Sequence, residues 1–553
     1  MKFYIVFFVS VVNFIFAQRK LAYPLDNIVV TGNFAELRPN HFHAGLDLRT
    51  DPTKNIPIYS VDDGYVSRIK ASTFGYGKVI YITHPGGIVS VYAHQHHFAD
   101  KIEKYIRSKQ KEKETFEIEV YPDKSELPVK KSEIIGYSGN TGASQAPHLH
   151  FEIRDEKTEA ALNPFSYFDF SDEVAPDLKR IYFFETTDLN LPTIIAKKDI
   201  PGNKVKNTLS GNTKTKEVFL DGTILLPECS GFGFTAFDQH IVNGSSNQIY
   251  SAELFIDGAS YYKHVFDTIA FDKSKYINCF TELGNLQSQK IQKCFLSKNE
   301  DLKIFKTLKS NGELYLKDTI EHDSKLVLTD VNGNKSITHF TIKRKKHTEL
   351  KPKAIRKYDC NKEISLIEGD AKALFKEKTF FNDVDIYLNK LNKDKKSYQY
   401  KVDVNVHALF LPFTIKIKPF ANVADTSKLC IVEKNTNTYC GGQLEGEYVM
   451  GTSKKLGVFY VATDSVPPQA SEIRKPKKGT AHRLEFAVSD NLSGVGDFKL
   501  YINGKWFYIE YENKSAKLYC NLDNSIPKGN NKYVLKVWDK RNNLRELKGN
   551  FNY

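Results

Sequence analysis

The sequence predicts a mainly β protein built from several antiparallel units, and two observations carry that expectation. Short runs with period-two alternation or β-branched composition recur along the chain, among them "GKVIYITH", "YSAELFIDG" and "KYVLKVWDK", and turn clusters such as "DDG", "HPGG" and "DVNGN" separate them. The chain also has 553 residues, 41% hydrophobic and 26% charged, the balance of a globular protein and not of a disordered one. At roughly 100–200 residues per domain, that length allows three to five domains.

The elements follow in order. Lys2 precedes the apolar run "FYIVFFVSVVNFIFA", which ends at Ala17. Its length suits the core of a signal peptide and falls short of a membrane span. Residues 1–17 are therefore expected to be removed, leaving Gln18 first, with an uncleaved anchor as the alternative. No later stretch is long and apolar enough to cross a bilayer, so no stable span is expected after signal cleavage. The expected location is outside the cytoplasm: periplasm, cell envelope or extracellular space.

Residues 18–170 read as one β-rich domain, with strands in "IPIYSVDDGYVSRIKAS", "GKVIYITH" and "GIVSVYAH". A Lys/Glu-rich insertion at about 99–128 interrupts it. Ile102, Tyr105 and Ile106 at helical spacing predict a solvated helix there, followed by a strand in "FEIEVYP". Residues 175–345 form a second β-rich domain. The basic, proline-containing stretch at 346–357 reads as a linker, and 358–465 as a third β-rich unit. After "DSVPPQAS", residues 466–553 carry strands of regular length with Asp/Asn/Gly turns, the pattern of a small Ig-like β-sandwich.

Bulk chemistry narrows the partners. A formal charge of +13 suits either anionic envelope polymers or plain solubility. No nucleic-acid-binding module accompanies it, which argues against nucleic acid as a partner. The seven cysteines all lie beyond residue 228. An oxidising compartment would permit disulfides, and Cys430 and Cys440, flanking the hairpin "IVEKNTNTY", are the pair placed to bridge. The odd count leaves at least one thiol over, and no CxxC exists to build a cysteine zinc site.

The histidines are concentrated. Of fifteen, eight (His41, His43, His84, His94, His96, His97, His148 and His150) fall between residues 41 and 150. In "PHLHFEI", strand alternation puts His148 and His150 on one face, with Cα atoms roughly 7 Å apart, and Leu149 and Phe151 on the other. One of the pair can bind a metal while the other touches a group bound to it. In "HAGLD", His43 and Asp47 share a face whether helical or extended, and Gly45 permits a tight path between them. Imidazole and carboxylate ligands with one open position describe a catalytic zinc site, and zinc suits this donor set better than manganese, cobalt or iron. The chain has no HExxH, so proton transfer would fall to further histidines. His84, His96 and His97 are expected at the surface. The Glu152–Arg154 pair, on the same strand face as His150, is expected to support the site or lie at the surface.

Taken together, these segments resemble the LytM/lysostaphin-type zinc metallopeptidases. The family's HxxxD and HxH hallmarks stand here as "HAGLD" and "HLH". "IYSVDDGYVSRIKAS", "GYGKVIYITHPGGIVSVYAH" and "IIGYSGNTGASQAPHLHFEIR" resemble the family's connecting text over about residues 40–165. Departures are small: "YAHQ" where "YAHL" is common, and Ser132 where glycine is usual. The resemblance implies a compact antiparallel β domain with a groove over one zinc ion. It makes His43, Asp47 and His150 the ligands, and His94 and His148 catalytic. It implies an endopeptidase that cuts peptidoglycan peptides with a metal-activated water, the two histidines handling protons. Two other readings stay open: a silent or autoinhibited wall-binding protein, given the large remainder of the chain, and a secreted metallopeptidase acting on proteins. The C-terminal β units are further expected to offer surfaces to cell-envelope proteins.

Overall fold

The computed structural model describes residues 20–51, 55–170, 172, 174–202, 205–239, 246–283, 290–346, 351–404, 408–420, 425–476 and 482–553. The signal-peptide expectation for 1–17 lies outside them. Among the described residues no helix is long and apolar enough to cross a membrane.

Strand alternation builds the N-terminal unit. Its main sheet runs, in spatial order, Val30–Gly32, Leu46–Arg49, His148–Asp155, Ile88–Ala93, Lys78–His84, Gly64–Ala71 and Ile118–Val120, every neighbour antiparallel. A three-stranded sheet of Pro57–Tyr59, Ile134–Tyr137 and His97–Phe98 packs with it. One face of the central strand His148–Asp155 gives Leu149, Phe151 and Ile153 to a core shared with Leu46, Leu48, Val66, Ile80, Ile82 and Tyr92. Its other face carries His148, His150, Glu152 and Arg154. Register sets His150 opposite Asp47 on one side and Ala93 on the other. The two ends of the histidine pattern are thus neighbours in the sheet although about a hundred residues apart in sequence.

The insertion forms the helix Asp100–Lys113. It is less solvated than its composition predicts. Ile102 and Ile106 enter the N-terminal core and Gln110 is buried, with Gln110 Nε2 donating to the Phe116 carbonyl at 2.7 Å.

The rest of the chain is β throughout. The second unit pairs a sheet around Asp177–Glu185 and Cys229–Phe237 with a seven-stranded sheet in which Thr213–Leu226 and Lys335–Arg344 run parallel. The basic stretch after it lies along this unit: Lys351 pairs with Glu185, Lys353 with Glu313, and Arg356 with Asp188 and Asp385. Two five-stranded sheets follow, then two four-stranded ones. All seven cysteines carry free thiols, so the expected Cys430–Cys440 bridge is not formed. Register pairs Ile431 with Gly441 and Val432 with Tyr439, and the bulge between them takes up Cys440, so the two thiols do not face across the hairpin.

The units are not beads on a string. Ala161–Leu162 pairs with Thr268–Ile269, extending the first sheet into the second unit. Phe34, Ala35, Phe42 and Ala161 share a core with Phe266, Ile269, Phe280 and Phe381. At the other side Phe116, just beyond the helix, is buried in the core of the C-terminal sandwich.

Candidate metal centre

His43 and Asp47 come from one turn-and-strand segment. A side chain at Gly45 would put its Cβ 2.1 Å from the Phe151 carbonyl oxygen, so only glycine lets this segment lie against the central strand. His43 Nε2 ends 3.0 Å from Asp47 Oδ1 and 2.9 Å from His150 Nδ1, and His150 Nδ1 lies 2.9 Å from the same Asp47 oxygen. All three residues are buried.

The far side of each imidazole fixes which nitrogen keeps its lone pair. His43 Nδ1 donates to the Asn33 carbonyl at 2.7 Å, leaving Nε2 toward the cluster. His150 Nε2 donates to Glu152 Oε1 at 2.7 Å, leaving Nδ1 toward the cluster. Two imidazole nitrogens and a carboxylate oxygen therefore converge within 3.0 Å of each other. A tetrahedral zinc ion with bonds of about 2.0–2.1 Å sets such ligands about 3.3 Å apart, so small outward shifts seat it. The donor types and the oriented lone pairs both fit that ion.

His94 and His148 flank this triangle and follow the same rule. His94 Nδ1 donates to the Thr141 carbonyl and His148 Nδ1 to the Ala146 carbonyl, each at 2.8 Å. Both Nε2 atoms are left as acceptors. His148 Nε2 lies 3.3 Å from Asp47 Oδ1, and its side chain, 16% exposed, is more open than those of Asp47, His150 and His43. The His94 ring centroid sits 4.9 Å from that of His148 and 5.8 Å from that of His150. His94 reaches there from the end of the strand Ile88–Ala93 in a left-handed conformation, φ 60°, which a non-glycine residue rarely adopts and which clusters at functional sites.

Electrostatics separate the histidines. Burial and the facing imidazoles of His150 and His148 pull the His94 pKa down to about 3. His94 is therefore uncharged at neutral pH. Burial also lowers His43. His150 goes the other way: burial opposes its charge, but hydrogen bonds to Asp47 and Glu152 lift it to about 9, so without metal Nδ1 holds a proton toward Asp47 that a bound metal would displace. Asp47, despite burial, is held far below the usual carboxylate range by His43, His148 and His150.

Of the remaining histidines, His96 is exposed and His97 stacks on Tyr137 at 4.5 Å, half-buried. His41 is exposed and outside the cluster, with Nδ1 on the Pro39 carbonyl. His84 corrects the surface expectation: it is buried, donating to the Asp63 carbonyl at 2.8 Å and meeting Ser90 Oγ at 2.6 Å. A strand end next to a turn carbonyl satisfies an imidazole inside the fold as well as water does.

Sequence reasoning put Glu152 and Arg154 on the site face, as support or surface, but did not find Tyr76 and Arg38. Tyr76 donates its hydroxyl to Glu152 Oε1, and Arg154 Nε donates to Glu152 Oε2 at 2.7 Å. Glu152, 0% exposed, is thus the shared anchor of His150, Tyr76 and Arg154. The alternation that joined His148 to His150 extends two and four residues further and placed Glu152 and Arg154 on the same face. Arg38 pairs with Glu36 and with the second oxygen of Asp47. Partners that orient a metal-binding imidazole typically govern affinity by about 10–100-fold. Glu152→Gln is accordingly expected to lower metal affinity by about that factor, as measured by competition with a chromophoric chelator. Unchanged affinity would show that Glu152 serves packing alone.

A family model described as Peptidase family M23 matches residues 41–111 and 121–164, and one described as Zu5-like domain matches 356–464. The DD-carboxypeptidase/endopeptidase Mpg of Neisseria meningitidis serogroup B is 29% identical over 112 residues, which is 20% of this chain and 20% of that protein. The protein of the same description from Neisseria gonorrhoeae is 28% identical over 112 residues. The match thus spans about a fifth of the length of these curated relatives. Among solved structures, the catalytic domain of the prophage-encoded M23 protein EnpA from Enterococcus faecalis is 24% identical, covering 26% of this chain and 95% of that one, with a TM-score of 0.20. The catalytic domain of the antimicrobial peptidase lysostaphin from Staphylococcus simulans is 22% identical, covering 25% and 90%, with a TM-score of 0.19. The sheet that brings "HAGLD" against "HLH" and the family match over the same residues meet in one statement: the N-terminal part of this chain is a peptidase family M23 domain of the LytM type.

Proposed function

We propose that the chain is an exported, zinc-dependent endopeptidase that hydrolyses peptide crosslinks of peptidoglycan. One observation carries the reading: the lone pairs of His43 Nε2, His150 Nδ1 and Asp47 Oδ1 converge on one point, with every opposite imidazole N–H held by a fixed acceptor. The division of the chain proposed here is a signal peptide, the M23 unit, a β-rich unit, the Zu5-like segment and a C-terminal sandwich.

When bound by His43, Asp47 and His150, zinc supplies a Lewis acid that polarises the scissile carbonyl and makes water acidic enough to attack near neutral pH. The chain's own residues do the rest. His148, at the more open edge with Nδ1 held by the Ala146 carbonyl and Nε2 turned to the cluster, is placed to take the proton of the attacking water and pass it to the leaving amine. His94, neutral and fixed by the Thr141 carbonyl, presents a second acceptor beside it. Once protonated, either imidazole stabilises negative charge on the reacting carbonyl oxygen. Glu152 and Asn33 keep the ligand tautomers in place.

The test is digestion of purified peptidoglycans of several crosslink types by the mature protein, with and without chelator, reading released fragments by mass. Chelator-sensitive release of peptide-cleaved fragments is expected and names the bond. Cleavage of glycine-rich protein with no release from any peptidoglycan would assign a protein substrate instead, and no cleavage by zinc-loaded protein would overturn the enzymatic reading.

A further inference from the structure

A second cluster of donors lies where the Zu5-like segment meets the C-terminal sandwich. Asp464 follows the strand Gly457–Thr463, Asp490 follows Arg483–Ser489, and Asp539 ends Asn530–Asp539. One carboxylate oxygen from each lies within 4.8 Å of the others. The interior carries most of this charge: Asp464 is 1% exposed and Asp539 2%.

Part of each carboxylate is used. Asp464 Oδ2 accepts from Ser493 N at 3.0 Å, and Asp490 Oδ2 from Leu492 N and Gly494 N at 3.0 and 2.8 Å. Asp539 accepts from Arg541 N, Asn543 N and Asn543 Nδ2. What remains points to a ligand: Asp464 Oδ1, Asp490 Oδ1 and the Ser493 hydroxyl are buried without a hydrogen-bond partner. No described lysine, arginine or histidine forms an ion pair with any of the three aspartates. Arg541, beside Asp539, turns its guanidinium to the Ser427 carbonyl, and Lys540 lies over the Tyr439 ring. Buried carboxylates held together with unused oxygens and no ion-pair partner are strongly unfavourable.

We propose that Asp464, Asp490 and Asp539 bind one calcium ion that locks the Zu5-like segment to the C-terminal sandwich. The donors are all oxygen with three negative charges, which suits a hard cation and not zinc. Calcium bonds of about 2.3–2.6 Å let one ion reach atoms up to about 4.8 Å apart. One ligand comes from the Zu5-like segment and two from the sandwich. The ion therefore replaces repulsion across the junction with attraction. It also fixes the orientation of the sandwich, which docks on the helix Asp100–Lys113 beside the histidine site.

The experiment uses the full chain, stripped of metal and dialysed, titrated with CaCl2 by calorimetry and melted with and without CaCl2. Wild type and His43→Ala are expected to bind one calcium per chain, and both to melt higher with it. Asp490→Asn and Asp464→Asn are expected to lose at least about tenfold in affinity and the calcium-dependent rise in Tm. Without calcium, Asp490→Asn is expected to melt no lower than wild type, because it removes like-charge repulsion. Absence of binding to wild type at millimolar calcium would overturn the proposal. So would unchanged binding in both aspartate variants, or loss of binding in His43→Ala. Should one aspartate variant fail to fold, the other decides.

Discussion

Replacing His148 with alanine is expected to lower peptide hydrolysis by about 10²–10⁴-fold, the usual contribution of a positioned acid–base group, while zinc content stays at one per chain. His150→Ala is expected to lose the metal and the activity together. The contrast follows from two positions on one strand: His150 Nδ1 lies inside the donor triangle, 2.9 Å from Asp47 Oδ1, whereas His148 stands at its open edge. Elemental analysis beside turnover measurements separates the two. Loss of zinc in His148→Ala, or full activity in that variant, would exchange or cancel the roles assigned.

The second large effect sits far from the histidines. Lys78 in the M23 sheet and Glu510 in the C-terminal sandwich form an ion pair at 2.9 Å with side chains 5% and 7% exposed. Arg107 of the inserted helix joins them at 3.4 Å. Removing one partner of such a pair strands the other charge in the interior and costs about 3–5 kcal/mol. Glu510→Ala is therefore expected to release the sandwich, seen as a lowered first melting transition and early proteolysis near residues 466–482. Lys78→Met combined with Glu510→Leu is expected to restore much of that loss, since apolar replacement of a buried pair is often neutral or better. If the double variant is as weak as the single one, packing and not charge holds the interface.

The same pair makes docking depend on pH. Burial raises the pKa of Glu510, but Lys78, Arg107 and Tyr519 outweigh it and bring the value to about 2. A carboxylate depressed on folding contributes stability that is fully present above the ordinary range, near about 4.3, and fades as pH falls toward its folded value. The interface is expected to loosen between about pH 4 and pH 2, and Glu510→Gln to abolish that dependence. Activity should feel it too, since Lys78 N is held by Thr141 Oγ1 at 2.9 Å and the Thr141 carbonyl orients His94.

What the sequence disclosed, and what it hid, follows from the range of each interaction. Alternation in "HLHFEIRD" is local, so it placed His148 and His150 on one face and the apolar residues on the core side. Glycine in "HAGLD" is legible once a strand is known to press against it. Three of the four tautomers, those of His43, His94 and His148, are held by the backbone carbonyls of Asn33, Thr141 and Ala146. Any residue type supplies a carbonyl, so no side-chain pattern announces them. Lys78 and Glu510 stand 432 positions apart, beyond any periodicity. The lysine-rich helix looked solvated because charged positions dominate its composition. Ile102, Ile106 and Gln110, four apart, are its buried face, and Arg107 with the following Phe116 carries the sandwich.

Asn33 has a bearing on how this protein can be taken apart. Its carbonyl holds a metal ligand, while its side chain is clasped by the second unit: Asn33 Nδ2 donates to the Gln248 carbonyl at 2.7 Å, and Gln248 N donates back to Asn33 Oδ1 at 2.9 Å. Phe42, next to His43, packs on Phe266 and Phe280. A clone ending near residue 170 would carry every residue of the metal centre, yet it would shed the clasp and lay bare an aromatic seam. Any fragment that keeps the clasp must therefore run at least through residue 344, the end of the second unit's last strand, and even that cut would uncover Phe116 and remove Phe381 from the seam.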